Sequence, residues 1–206
     1  MTRTARDTAR HQILARITTA LDQNSPTPPI VRNYRRAGSG GPGDIELFAD
    51  RLRDYGAHVR VVAADGVARS IAGALAERGA TRVLAAPGTP LAWAPDAARG
   101  PADVPTLTLT HAVITACCVA IADTGTIVLD HDAADQGTRA LTLLPDYHLV
   151  VVRRDQVVAG VPDAVAALTE VRTQTWISGP SATSDIELER VEGVHGPRTL
   201  EVILAL

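Results

Sequence analysis

The stretch from Ala57 to Ala86 constrains this chain more than any other. Ala57 to Ala63 alternates into a valine-rich strand. Val67, Ile71, Ala74 and Leu75 then fall on one helical stripe, with Asp65 placed to cap it and Gly79 to end it. Arg82 to Ala86 is a second short apolar strand. A strand, a helix and a strand within about 30 residues predict a right-handed βαβ unit, and so the start of a parallel sheet. Such a sheet is buried on both faces and needs continuous apolar strands. The composition suits it: 46% of the 206 residues are apolar but only 3% are aromatic, which leaves Val, Leu, Ile and Ala to build the core.

Further strands are predicted at 105–110, 117–122, 126–129, 141–144, 147–153, 174–178 and 200–205. Pro162 to Leu168 reads as a short helix with proline near its first turn. At the start of the chain, Ile13, Leu14, Ile17 and Leu21 share one face of an amphipathic helix over residues 5–22. Three prolines between Asn24 and Pro29 break it. The run Gly38-Ser39-Gly40-Gly41-Pro42-Gly43 has no strand before it and no Lys-Ser/Thr after it, so it reads as a flexible surface loop rather than a phosphate loop. Asp44 then caps a helix carrying Leu47, Phe48, Leu52 and Tyr55, which Gly56 stops. The expected organisation is a helix and Gly/Pro-rich connection over residues 1–42, then an α/β domain over 43–206. That domain is expected to hold one mixed, mostly parallel sheet flanked by helices.

All 20 basic residues are arginine, so neither a Schiff-base lysine nor a P-loop lysine is available. The net charge of −3 is spread without a basic stripe, which argues against nucleic acid as a partner. Cys117 and Cys118 are neighbours in an apolar run; they read as small core hydrophobes, and two adjacent thiols cannot make the four-thiolate set of an iron–sulfur cluster. No His/Cys/carboxylate spacing suggests a metal site, and neither Gly-x-Ser-x-Gly nor Gly-x-Gly-x-x-Gly occurs. The longest apolar stretch, about Ala112 to Ala122, is too short to span a bilayer, and residues 1–10 show no apolar signal core. A cytoplasmic location is the expectation.

Two loops carry candidate chemistry. In Ala122-Asp123-Thr124-Gly125-Thr126, Gly125 permits a tight turn and close approach of a ligand. Thr124 and Thr126 offer hydroxyls beside backbone N–H groups, and Asp123 can take a proton or hold a substrate hydroxyl. A plain hairpin with polar turn residues is the competing reading. The second loop runs Ser178-Gly179-Pro180-Ser181-Ala182-Thr183-Ser184-Asp185, with Ser184-x-x-Glu187 as a capping box. A Ser/Gly-rich loop leading into a helix can hold an anion, while Asp185 favours an alcohol; a well-capped connection without a ligand competes. Arg139 can clamp a carboxylate or pair with Asp132 or Asp135. His195 sits in a stiff Gly193-Val194-His195-Gly196-Pro197 turn, and His148 opens a strand; a lone histidine is more often a structural hydrogen-bonder.

Taken together, Ile121 to Leu129, Arg139-Ala140-Leu141, Leu144-Pro145-x-x-His148-Leu149-Val150-Val151, Ile177 to Glu187 and Gly193 to Pro197 resemble the LUD domain. Within it they resemble the lactate utilization protein C family, and Pro87-Gly88-Thr89-Pro90-Leu91-Ala92-Trp93 fits that family's middle region. The resemblance covers roughly residues 45 to 206 and rests on several motifs in order. It implies a NagB/RpiA/CoA-transferase-like α/β fold and a role in oxidising L-lactate to pyruvate beside two iron–sulfur partner proteins. The clusters would be housed in those partners, with no cofactor and no metal in this chain. One departure is that the family usually carries Glu where Asp123 precedes Thr-Gly-Thr.

The leading expectation is therefore a lactate-oxidation component that binds a small carboxylate or other anion across the two loops. Thr124, Gly125, Thr126, Arg139, Ser178, Gly179, Ser181 and Thr183 are the candidate ligand-binding residues. Asp123, Asp185 and His195 are the candidate proton-handling, catalytic residues. Whether the chain is itself an enzyme stays open. A non-catalytic assembly subunit of the same complex is one alternative, and a stand-alone CoA-transferase, sugar-phosphate or folate-type enzyme is another.

Overall fold

The computed structural model describes residues 3–21, 29–183, 191–192 and 196–206. The chain divides into two units, Met1–Tyr34 and Arg35–Leu206. The first contains helix α1, Arg3–Ala20, where the apolar spacing predicts one.

The second unit is α/β. In chain order it contains α2 (Ile45–Asp54), β1 (His58–Val62), α3 (Val67–Glu77), β2 (Val83–Ala85), β3 (Ala98–Arg99), α4 (Val104–Leu109), β4 (Ala112–Thr115), β5 (Val119–Ile121) and β6 (Thr126–Asp130). It continues with α5 (Arg139–Leu143), β7 (Tyr147–Arg153), β8 (Val157–Val158), α6 (Val161–Ala167), β9 (Gln174–Ile177), β10 (Ala182–Thr183), β11 (Val191–Glu192) and β12 (Thr199–Ala205). Six strands form a wholly parallel sheet in the order β1-β12-β7-β4-β2-β3. β1 and β2 are parallel members of one sheet, as the βαβ pattern predicts, but three strands separate them. Four further strands form a second sheet, β8-β5-β6-β9, and β10 pairs with β11.

Strand alternation sorts the core into layers. Val150 and Val152 of β7 and Leu200, Val202 and Leu204 of β12 face the second sheet, meeting Ala120, Ala122, Ile127 and Leu129, with Phe48 and Leu52 of α2. The intervening residues, Leu149, Val151, Ile203 and Ala205, face α3 through Val67, Ile71 and Ala74. The outer face of the second sheet, Val119, Ile121 and Val128, lies under Ala164 and Leu168. β5 is thus buried on both sides, which is why it reads as an unbroken apolar run.

Helix ends follow the sequence in some places and not in others. Asp44 caps α2, accepting from the Leu47 N–H at 3.0 Å. Asp65 caps nothing: it lies in a 3₁₀ turn, Ala64–Gly66, and α3 starts after Gly66 without a side-chain cap. The predicted strands at 105–110 and 141–144 are short helices. Asp103 accepts from the Thr106 N–H at 3.0 Å with Pro105 in the first turn of α4, and Thr138 caps α5. The Gly38–Gly43 segment belongs to the α/β unit and is tied onto it. Gly38 N–H donates to Asp163 Oδ1 at 2.5 Å, and Pro42 bridges to Val158.

The parallel sheet carries one buried carboxylate. Glu201 of β12 is 1% exposed and accepts from Tyr147 Oη at 2.6 Å, from Arg78 Nε at 3.2 Å and from Arg60 Nε. Burial alone pushes its carboxyl up, but the Tyr147 hydroxyl and the two guanidiniums outweigh it and hold it below the usual carboxylate value. Burial first, and Glu201 second, raise the Tyr147 hydroxyl well above its ordinary value, against the opposing pull of Arg78. Replacing Glu201 with Ala leaves that hydroxyl without its acceptor and removes a shared counter-charge. Urea unfolding at pH 7 should show a loss of about 3 kcal/mol. Arg53→Ala, which breaks only the exposed Arg53–Asp50 pair, should leave the midpoint in place.

Candidate functional site

The two loops singled out by sequence meet because β6 and β9 are antiparallel neighbours, with Ile127 opposite Ile177. That register sets Thr126 beside Ser178. Thr124 Oγ1 lies 2.7 Å from Thr126 Oγ1, which lies 2.8 Å from Ser178 Oγ, a chain of three hydroxyls. Thr126, at the middle of the chain, is buried, while Thr124 is half-buried and Ser178 is exposed.

α2 closes this seam from one side. Gly125 has φ +61°, and a Cβ there would meet Arg51 Cβ at 2.7 Å and Arg51 C at 3.0 Å. Gly179 has φ +91°, and a Cβ would meet Tyr55 Cβ at 2.6 Å. The two glycines therefore seat the turns against α2, one helical turn apart. The helix fills the space that a side chain at Gly125 would need.

Asp123 stands at the start of the first turn, its N–H donating to the Ala159 carbonyl at 3.1 Å. Its Oδ2 accepts from Arg35 Nη2 at 3.1 Å, with both side chains about half exposed. Gly160 makes room for this pair, since a Cβ there would meet Arg35 Nη2 at 2.5 Å and Asp123 Oδ2 at 3.0 Å. Arg35 gave no signal in the sequence; only the fold, 88 residues apart in chain, brings it to Asp123.

On the far side of Ser178–Ser181 lies a cavity of about 180 Å³. It is lined by β9, by Thr142 and Leu143 of α5, by Pro197, and by His148 and Leu200 of the parallel sheet. Ser181 lines it and ties its own N–H to the Pro197 carbonyl at 2.8 Å. Thr175, also in the wall, is 2.7 Å from His131 Nε2, while His131 Nδ1 is 2.8 Å from the Gly137 carbonyl. A carbonyl only accepts, so Nδ1 carries the proton, and in a neutral ring Nε2 accepts from the threonine.

Thr124, Gly125, Thr126, Ser178, Gly179 and Ser181 are thus gathered around one seam. Arg139 opens α5 with an exposed side chain and is not among the residues lining the cavity; no ion pair with Asp132 or Asp135 occurs. Thr183 lies in β10, opposite Val191. Asp185, His195 and the Ser184–Glu187 capping box lie outside the described residues.

The profile of the LUD domain matches residues 105–205, the span that holds both loops and His148. Lactate utilization protein C of Deinococcus radiodurans is 49% identical over 169 residues, 78% of each chain. The chain belongs to the LUD-domain family. A protein of the same designation from Bacillus subtilis is 31% identical over 57% of this chain and 51% of its own length. A crystal structure of a DUF162 family protein from Deinococcus radiodurans superposes with a TM-score of 0.67 at 41% identity, covering 78% of this chain and 95% of that one.

In this LUD domain, His148 is a buried polar group within the parallel sheet. It is 1% exposed, and its Nε2 lies 2.8 Å from Thr115 Oγ1. The signal was present as a histidine inside an apolar strand, but that pattern also describes an ordinary structural histidine. Burial first, and nearby His131 second, push its imidazolium down to about 4, so the ring is neutral at pH 7. Cys117, close by in the core, donates to Gln156 Oε1 at 3.4 Å, and burial raises its thiol well above the ordinary value, so it is inert as a nucleophile.

Two outcomes follow from this geometry. Gly125→Ala and Gly179→Ala should each cost about 2 kcal/mol in urea unfolding, because each combines a left-handed backbone with a clash against α2. The unfolded chain takes up a proton on His148 near 6.5, the folded chain only near 4. Stability from the neutral ring is complete above about 6.5 and is lost as pH falls toward 4, by about 3 kcal/mol. Comparing unfolding of wild type and His148→Gln from pH 7 to pH 4 should show a shallower acid decline in the variant.

Proposed function

We propose that this chain is a component of a lactate-utilization system that oxidises L-lactate to pyruvate beside iron–sulfur partner proteins. The observation that carries this reading is the 49% identity, across 78% of both chains, to a protein named lactate utilization protein C. Oxidation of lactate to pyruvate releases two electrons and two protons. The two adjacent cysteines of this sequence cannot supply four thiolates to a cluster, so the electrons pass to partners that carry them.

The ligand-binding part of the proposal rests on the seam. Ser178 and Ser181 present hydroxyls at the cavity, and the Arg35–Asp123 pair lies at the other turn. A small carboxylate is held there by hydroxyls, with Arg35 rather than Arg139 as the nearer recorded partner of Asp123. A second reading, a non-catalytic assembly subunit, is favoured by one observation: Thr124, Thr126 and Ser178 satisfy one another, and Asp123 is engaged by Arg35.

Deleting the gene should abolish growth on L-lactate as sole carbon source while leaving growth on pyruvate intact. Unchanged growth on lactate ends the proposal. Affinity purification of the full chain from lactate-grown cells should bring down iron–sulfur proteins. Their retention with loss of growth in an Asp123→Asn strain separates a working site from an assembly role.

A further inference from the structure

The cavity beside the seam contains one feature that packing does not explain. His148 Nε2 is taken by Thr115, and Nδ1 has no partner among the described residues. Whichever atom holds the proton shared with Thr115, Nδ1 remains a free donor or acceptor. The residue is 1% exposed overall, and it lines the 180 Å³ cavity.

The rest of the wall is chemically selective. Thr142, Thr175, Ser178 and Ser181 add hydroxyls, Leu143, Ile177 and Leu200 add apolar surface, and among the described residues no arginine lines it. An imidazole neutral at pH 7 provides a hydrogen bond but no positive charge. A carboxylate set against these residues would lose water without gaining a counter-charge from them. A hydroxyl or carbonyl on a short carbon skeleton meets one hydrogen-bonding nitrogen and a small apolar wall.

We propose that this cavity receives the hydroxyl-bearing end of a short 2-hydroxy acyl compound, with His148 Nδ1 as its hydrogen-bonding contact and the acyl head left at the Ser178–Ser181 mouth. The ligand class rests on the lactate reading above; the site itself rests on the cavity and the unpaired imidazole nitrogen. The volume admits a molecule of about six non-hydrogen atoms, and so few contacts imply millimolar affinity.

The experiment follows the histidine ring nitrogens of the purified full chain by ¹⁵N NMR, with His148 assigned from the His148→Gln variant. Glutamine places a hydrogen-bonding group near the Nε2 position and keeps the Thr115 contact while removing Nδ1. Three probes are titrated to about 50 mM, within the affinity expected for so small a ligand: L-lactate, L-lactamide and propionate. Lactate and lactamide should shift the His148 Nδ1 resonance saturably, and propionate, which lacks the hydroxyl, should not. In His148→Gln, binding read from backbone amides of Ser178–Ser181 should weaken at least tenfold. If the variant does not fold, Ser181→Ala, at the mouth, should weaken lactate binding severalfold while the Nδ1 shift at saturation is kept. No shift with any probe, or a propionate shift equal to that of lactate, overturns the proposal. Loss of growth on lactate with a silent His148 removes the cavity and leaves the lactate role standing. A saturable His148 shift with unimpaired growth does the reverse.

Discussion

The close packing of the β8-β5-β6-β9 sheet onto the parallel sheet is the constraint from which the rest of the structure follows. β5 and the residue after it turn Ala120 and Ala122 inward against Val150, Val152 and Val202, while Val119 and Ile121 face outward under α6. Small residues on the inner face let the two layers approach without aromatic filler, which a chain with one phenylalanine needs. Once β5 is fixed, β6 returns beside it and β9 pairs with β6. The contact between Thr126 and Ser178 is then a matter of register. A slip of one residue would turn Ile127 outward and break the hydroxyl chain, so core packing also enforces the site.

Much of this was legible in the residues. The βαβ pattern, the Asp44 cap and the strands over 126–129 and 147–153 follow from periodicity and turn chemistry, and the family resemblance rests on ordered motifs. The failures have a physical cause. Leu107-Thr108-Leu109 and Leu141-Thr142-Leu143 alternate as strands do, but Asp103 and Thr138 cap them and one side packs on the sheet, so they wind into single turns of helix. Over five or six residues a period of 2 and a period of 3.6 are hard to tell apart. Asp65 failed as a cap because a 3₁₀ turn intervenes. Arg35 and the role of α2 in seating both glycines were invisible, since they depend on contacts between distant segments.

The acidic groups show how context divides similar chemistry. Glu201 is buried but accepts from three donors, and its place is structural: it holds β12 to Tyr147, Arg60 and Arg78. Asp123 is half exposed, with Arg35 as its cation, in a turn that Gly125 seats against a helix. Removing Glu201 takes the buried acceptor from Tyr147 and the shared counter-charge from two half-buried arginines, whereas Asp123 can exchange its arginine for water or a ligand at small cost. A carboxylate able to change partners is the one suited to a binding seam.

Open α/β sheets usually bind ligands beyond the carboxyl ends of their strands. This molecule has a wide cleft there, lined by Gly43, Trp93, Arg153 and Leu206 among others. Its arginines are exposed, and Arg153 is paired with Asp155. The cavity at His148 lies instead at the amino ends of β7 and β12, where His148 and Leu200 are second in their strands and adjacent in register. Here the second sheet and α5 wall off a space over one face of the parallel sheet, and a neutral imidazole is left half-bonded inside it. A half-bonded imidazole among hydroxyls and apolar side chains is the reason the proposed site is set at the amino end of this sheet rather than its carboxyl end.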